Sequence, residues 1–105
     1  MNFKELAENL GLEEDEYLEL VELFLDTGKA DFQKIESSLA NSDADQVMRS
    51  AHTIKGAAGN LGFTEISDLA KLIEENAGND TLEGLDQAVS ALRSHFESIT
   101  ALVNG

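Results

Sequence analysis

One histidine in this chain is flanked by glycines, within the stretch AHTIKGAAGNLGF that spans residues 51–63. On a helix, Lys55, Gly56 and Gly59 follow His52 by three, four and seven residues, so they share its side of the helix. A neutral imidazole is a nucleophile toward phosphorus, and a neighbouring ammonium group attracts a phosphoryl group. Because glycine has no side chain, the ring is open to an approaching macromolecule. The stretch therefore predicts a histidine that accepts a phosphoryl group.

A second positive charge lies one turn before this histidine, at Arg49. The chain has only seven lysine and arginine residues against 21 aspartate and glutamate residues. Two of those seven bracket His52, and we expect Arg49 and Lys55 to provide the local charge for a phosphoryl group.

Two other interpretations of these residues are open. His52 can be an ordinary surface histidine without a chemical role. Glycines on a helix can instead allow a second helix to approach closely. We favour the open flank because Gly56 shares a face with His52, which is turned about 100° away from the apolar position Ala51. The other histidine, His95, has no glycine or lysine around it, and we expect it to be structural or without a role.

The elements that must position these residues are helices. Proline is absent, and apolar residues recur every three or four positions almost throughout, which is typical of amphipathic helices. The acidic run 13–16 lies where it would complement the N-terminal end of a helix dipole. The first two predicted helices are a short one over residues 3–10, ended by Gly11, and a long one over about 14–40. The third runs from Asp43 to Gly62, and the fourth is capped by Thr64 and ended by Gly78 and Asn79. The last begins with a capping box at 80–83 and buries Leu82.

Short loops between four substantial helices favour antiparallel neighbours. We therefore predict an all-α fold: an up-down-up-down four-helix bundle with a short additional N-terminal helix, forming a single domain over residues 1–105. Leu18 and Leu25 lie off the main apolar stripe of the long helix. They are the predicted seat for the apolar residues of the short helix, namely Phe3, Leu6 and Leu10.

Composition excludes several classes of function. A formal net charge of -14 repels nucleic acids and anionic membranes. No apolar run reaches the roughly 20 residues of a membrane span, and the absence of cysteine fits a reducing compartment. We therefore expect a cytoplasmic protein, and we also expect a monomer. Neither G-x-x-x-x-G-K-[ST] nor G-x-G-x-x-G occurs, which predicts a carrier without a nucleotide site rather than an enzyme. Two histidines without cysteine make a poor zinc site, and we predict no metal and no cofactor.

The motif His52-x-x-Lys55-Gly56, followed by Leu61-Gly62, resembles the signature of histidine-containing phosphotransfer (Hpt) domains, the relay modules of two-component signalling. The resemblance extends over the whole chain. It implies that His52 is the phosphoacceptor, that Lys55 helps to hold the phosphoryl group, and that Gly56 gives the partner access. The implied partners are response-regulator receiver domains and a hybrid sensor histidine kinase. The alternative is a non-phosphorylated acidic adaptor or a dimerisation bundle that uses the acidic surface or the face of Leu18 and Leu25.

Overall fold

The computed structural model describes residues 2–104, which form five α-helices and no β-strand. Neighbouring helices pack in the order of the chain, and the last helix packs back against the second, which closes a four-helix bundle with α1 against it. This confirms the predicted fold class. The helices are α1 (Phe3–Asn9), α2 (Glu14–Ala40), α3 (Ala44–Leu61), α4 (Thr64–Gly78) and α5 (Asp86–Asn104).

The apolar stripe of α2 covers the core of the bundle, and one position in this stripe is a glycine, Gly28. A Cβ atom at Gly28 would lie 2.7 Å from Cε1 of Phe96, closer than such atoms approach. The rings of Phe24 and Phe96 stack there with centroids 5.4 Å apart. Gly28 therefore has a packing role: it lets the Phe96 ring of α5 reach the backbone of α2.

Three helix ends follow the local sequence. The Asp43 side chain accepts a hydrogen bond of 3.1 Å from the backbone N–H of Gln46 and begins α3. Gly62 has a φ of 84° and ends α3 in the left-handed conformation that glycine tolerates. At the start of α2, the Glu16 carboxylate accepts a hydrogen bond of 3.1 Å from the backbone N–H of Glu13, so the acidic run does begin this helix.

Two predicted helix starts are wrong. Phe63 occupies the cap position of α4, and Thr64 is the first helical residue. The predicted capping box at 80–83 does not begin α5, which starts at Asp86. Asp80 and Gly84 have φ values of 59° and 83°, which are left-handed conformations. Because a right-handed helix cannot run through such residues, α5 begins only after Gly84. Leu82 still packs against the core, but it does so from the turn.

The short helix α1 lies over α2 and the turn between α3 and α4. The Phe3 ring is 6.2 Å from the Tyr17 ring, and Leu6 lies beside Gly62, with its Cδ2 atom 3.3 Å from the position of a Cβ there. Leu10 was predicted to pack against α2 together with Phe3 and Leu6. This prediction is wrong, because α1 ends at Asn9 and Leu10 is 44% exposed. Leu25 belongs to the core, where it is 5% exposed.

Candidate functional site

His52 lies on the outer face of α3. Its side chain is 68% exposed, whereas Ala51 and Ile54 are buried. At about 100° per residue, these two buried positions lie roughly 100° and 160° around the helix from His52, so position 52 faces solvent. The predicted exposure of His52 is confirmed.

The two functional side chains predicted on α3, those of His52 and Lys55, bind the same carboxylate, that of Glu74 on α4. Glu74 bonds the Nδ1 atom of His52 through one oxygen, and its other oxygen accepts a hydrogen bond of 2.6 Å from the ammonium of Lys55. An ionised carboxylate can only accept hydrogen bonds, so Nδ1 carries the ring hydrogen. The lone pair of the neutral ring is then on Nε2.

The charge state of Glu74 supports this arrangement. The hydrogen bond from Lys55 lowers the pKa of the Glu74 carboxyl below its ordinary value of 4.5, and the bond from His52 acts in the same direction against the effect of burial. The Glu74 side chain is 18% exposed, so solvent screens these contacts less than it screens surface ion pairs. The carboxylate is therefore ionised at neutral pH.

Sequence reasoning missed Glu74, which lies 22 residues after His52 on another helix. A signal was available in the turn between α3 and α4. Two antiparallel helices joined at Gly62 and Phe63 place residues opposite each other when they are about equally far from that turn. His52 precedes Gly62 by ten residues and Glu74 follows it by twelve, so this carboxylate is a natural neighbour of the histidine.

The two glycines beside the site differ in their surroundings. A Cβ atom at Gly56 would meet no heavy atom within 4 Å, so this flank of His52 is open. A Cβ at Gly59 would lie 3.5 Å from the hydroxyl oxygen of Ser67, an ordinary contact with α4. Close approach of a second helix, the interpretation that competed with the open flank, therefore does not fit Gly56, and Gly59 lies against α4 at a distance that would still accommodate a Cβ.

Comparison with known proteins identifies the family. A model of the Hpt domain matches residues 19–101. The chain belongs to the Hpt domain family. Hpt domains are phosphocarrier modules of two-component signalling.

Two known proteins are similar to this Hpt domain. The crystal structure of histidine-containing phosphotransfer protein B (HptB) from Pseudomonas aeruginosa PAO1 superimposes with a TM-score of 0.85 at 23% sequence identity, covering 99% of this chain and 90% of that one. This likeness shows the fold. The chemotaxis protein CheA of Halobacterium salinarum is 44% identical over 70 residues, which are 66% of this chain and 10% of CheA. The Hpt domain described here thus spans about a tenth of the length of this relative.

The remaining predicted site residue and the second histidine of this Hpt domain have partners of their own. Arg49 forms an exposed ion pair of 3.0 Å with Asp45, one turn away on α3. His95 lies on α5 with its Nε2 atom 3.4 Å from a carboxylate oxygen of Glu65, beside a cleft of about 490 Å³ formed with α1. Neither of these contacts involves Glu74.

Residues 2–104 contain no helix that is both long enough and apolar enough to cross a membrane. Over the same range, no three histidine, aspartate or glutamate side chains are placed to hold a metal ion.

Proposed function

We propose that His52 accepts a phosphoryl group on its Nε2 atom from the phospho-aspartate of a receiver domain and passes it to the aspartate of a second receiver. The observation that supports this most is the bond between Glu74 and Nδ1. It leaves Nε2 as the nitrogen with a free lone pair, on a ring whose side chain is 68% exposed. A hybrid sensor histidine kinase would supply the phosphoryl group to the first receiver.

The transfer exchanges one bond to phosphorus for another. The lone pair of Nε2 attacks the phosphorus atom, the bond between phosphorus and the aspartyl oxygen breaks, and the aspartate leaves with the electron pair as a carboxylate. The hydrogen stays on Nδ1, so the ring gains positive charge beside Glu74. A fixed carboxylate at this position holds the ring in one orientation and stabilises the developing charge. Donation to the second receiver is the same step in reverse.

Lys55 is suited to attract the phosphoryl group. Its side chain is 31% exposed and shares Glu74 with the histidine, so the ammonium is held near the ring without being the nucleophile. We assign partner access to Gly56 because the space above it is empty. Arg49 contributes positive charge near the site. Gly59 has no side chain and so leaves the surface of α3 accessible to the partner there.

The adaptor or dimerisation alternative is less well supported where it relies on the face of Leu18 and Leu25. One residue of the face that it would use, Leu25, is buried in the core. The bundle therefore cannot present Leu18 and Leu25 together to a partner.

The test is transfer from each phosphorylated receiver domain of the source organism to this chain. We expect one phosphoryl group per chain, labile to acid and more stable to alkali, as a phosphoramidate is. His52→Gln should abolish labelling, whereas His95→Gln, the matched control, should retain it. Label that persists in His52→Gln would refute the assignment.

A further inference from the structure

Ser67 is a residue of α4 whose side chain bonds the backbone of α3. Its hydroxyl donates a hydrogen bond of 3.1 Å to the carbonyl oxygen of Lys55. Ser67 is partly buried, and its hydroxyl bonds neither the imidazole nor the ammonium. The phosphotransfer mechanism proposed above does not use it.

The same hydroxyl lies beside Gly59. The Ser67 hydroxyl oxygen is 3.5 Å from the position that a Cβ of Gly59 would occupy, which is an ordinary van der Waals distance. Ser67 thus contacts α3 one turn after Lys55, on the face that α3 turns toward α4.

Ser67 and Glu74 act on the same short part of α3. They are seven residues apart, so they lie on one face of α4, about 10 Å apart along its axis. Ser67 holds the main-chain carbonyl of Lys55, and Glu74 holds its ammonium and the imidazole of His52. Within residues 2–104, these three bonds are the side-chain hydrogen bonds that join α3 to α4.

We propose that Ser67 is a positioning residue that fixes the register of α4 against α3, so that one carboxylate reaches both His52 and Lys55. Interdigitated apolar side chains set the overall register of two packed helices, but their attraction is not directional and does not by itself align a polar group at the surface. A hydrogen bond does not, since it weakens steeply with distance and angle. A displacement of about 1 Å in a group that orients a nucleophile can slow a reaction by about a hundredfold.

The first test reads the geometry of the site without any transfer. In the wild-type chain, the Nδ1 hydrogen of His52 should give a proton NMR signal shifted downfield by its bond to Glu74. Ser67→Ala should weaken or broaden that signal, and Ser67→Thr, which keeps a hydroxyl, should restore it. Ser98→Ala, at an exposed serine of α5, is the matched control and should leave the signal unchanged.

The second test rests on the proposed function and measures single-turnover transfer from a phosphorylated receiver. Ser67→Ala should lower the maximal rate about tenfold, leave the affinity for the receiver unchanged, and retain the helical circular dichroism of the wild type. In a Glu74→Ala background, the same change should alter the rate by less than twofold, because its effect passes through Glu74.

Three results would overturn the proposal: an unchanged NMR signal in Ser67→Ala, a threonine variant that does not restore the signal, or an equally large rate effect with and without Glu74. A wild-type chain that accepts no phosphoryl group would instead refute the proposed function. The NMR comparison would then still decide the role of Ser67.

Discussion

Alanine at position 56 should raise the stability of this Hpt domain and lower its activity. Gly56 is an exposed residue in the interior of α3, its backbone is not left-handed, and a Cβ there meets nothing within 4 Å. Alanine at such a position restricts the unfolded chain and adds no clash to the folded one. The expected gain in the free energy of unfolding is about 0.5 to 1 kcal/mol. For a chain of this length, that gain corresponds to a rise in Tm of roughly 2 to 5 °C.

The same substitution at Gly28 provides the contrast. The new Cβ would lie 2.7 and 2.9 Å from two atoms of the Phe96 ring, which is 3% exposed and stacked on Phe24. The ring must move within a packed core, and overpacking of this kind lowers the free energy of unfolding by about 1 to 3 kcal/mol. Gly28→Ala should therefore lower the Tm, although both glycines lie inside helices.

Transfer rates should not follow these changes in stability. Gly56→Ala should slow phosphotransfer, and Gly56→Gln should slow it by about tenfold or more, because the added atoms occupy space that a receiver must enter to align its aspartate with Nε2. Gly28→Ala should leave the rate nearly unchanged at temperatures where the variant is folded.

Thermal unfolding and single-turnover transfer of the three variants test this reasoning. A loss of stability in Gly56→Ala would show that another group packs over this flank. Unchanged transfer in Gly56→Gln would show that the receiver does not approach from this side.

Three further predictions concern the residues around the ring. His52→Gln should abolish labelling and leave the Tm within a few degrees of wild type, since an exposed side chain contributes little packing. The control His95→Gln should keep the label, and equal loss of label in both variants would refute the assignment. Lys55→Ala should still be labelled, but transfer should be slower or the phosphorylated state shorter-lived; if rate and lifetime both stay at wild-type values, the lysine has no part in transfer. The pKa of Glu74 is lowered in the folded state, so its contribution to stability is present above pH 4.5 and is lost as pH falls through the lower folded value. Urea unfolding should therefore show a deficit for Glu74→Gln at pH 7 that shrinks on acidification, with Glu75→Gln as the exposed control; a deficit that does not depend on pH would contradict the ion pair.

The exposure of His52 and the open flank beside it were predictable because they depend on one helix alone. The periodicity that buries Ala51, Ile54 and Ala58 places His52 outside, and the open flank follows from the residue type at position 56. These relations need only the 3.6-residue turn of a helix, which the spacing of apolar residues reveals.

The start of α5 was not predictable in the same way. The segment after α4 contains acidic and hydroxyl residues in an order that resembles a helix cap, yet Asp80 and Gly84 adopt left-handed conformations and Leu82 packs from a turn. The path between two packed helices is decided by where their apolar faces meet. A local cap signal is worth only about 1 kcal/mol and does not override that packing.

The sequence by itself determined that the chain forms helices, which faces most of them bury, and that His52 is exposed beside Lys55 with an open flank at Gly56. Only the tertiary structure decided that Glu74 joins His52 to Lys55, that Ser67 holds the backbone beside them, and that Gly28 accommodates a phenylalanine ring of α5. The physical reason is register: a contact between two helices depends on how far one is shifted along the other. That shift is set by the turns, by the packing of the whole core and by the polar contacts between the two helices, and neither helix encodes it alone.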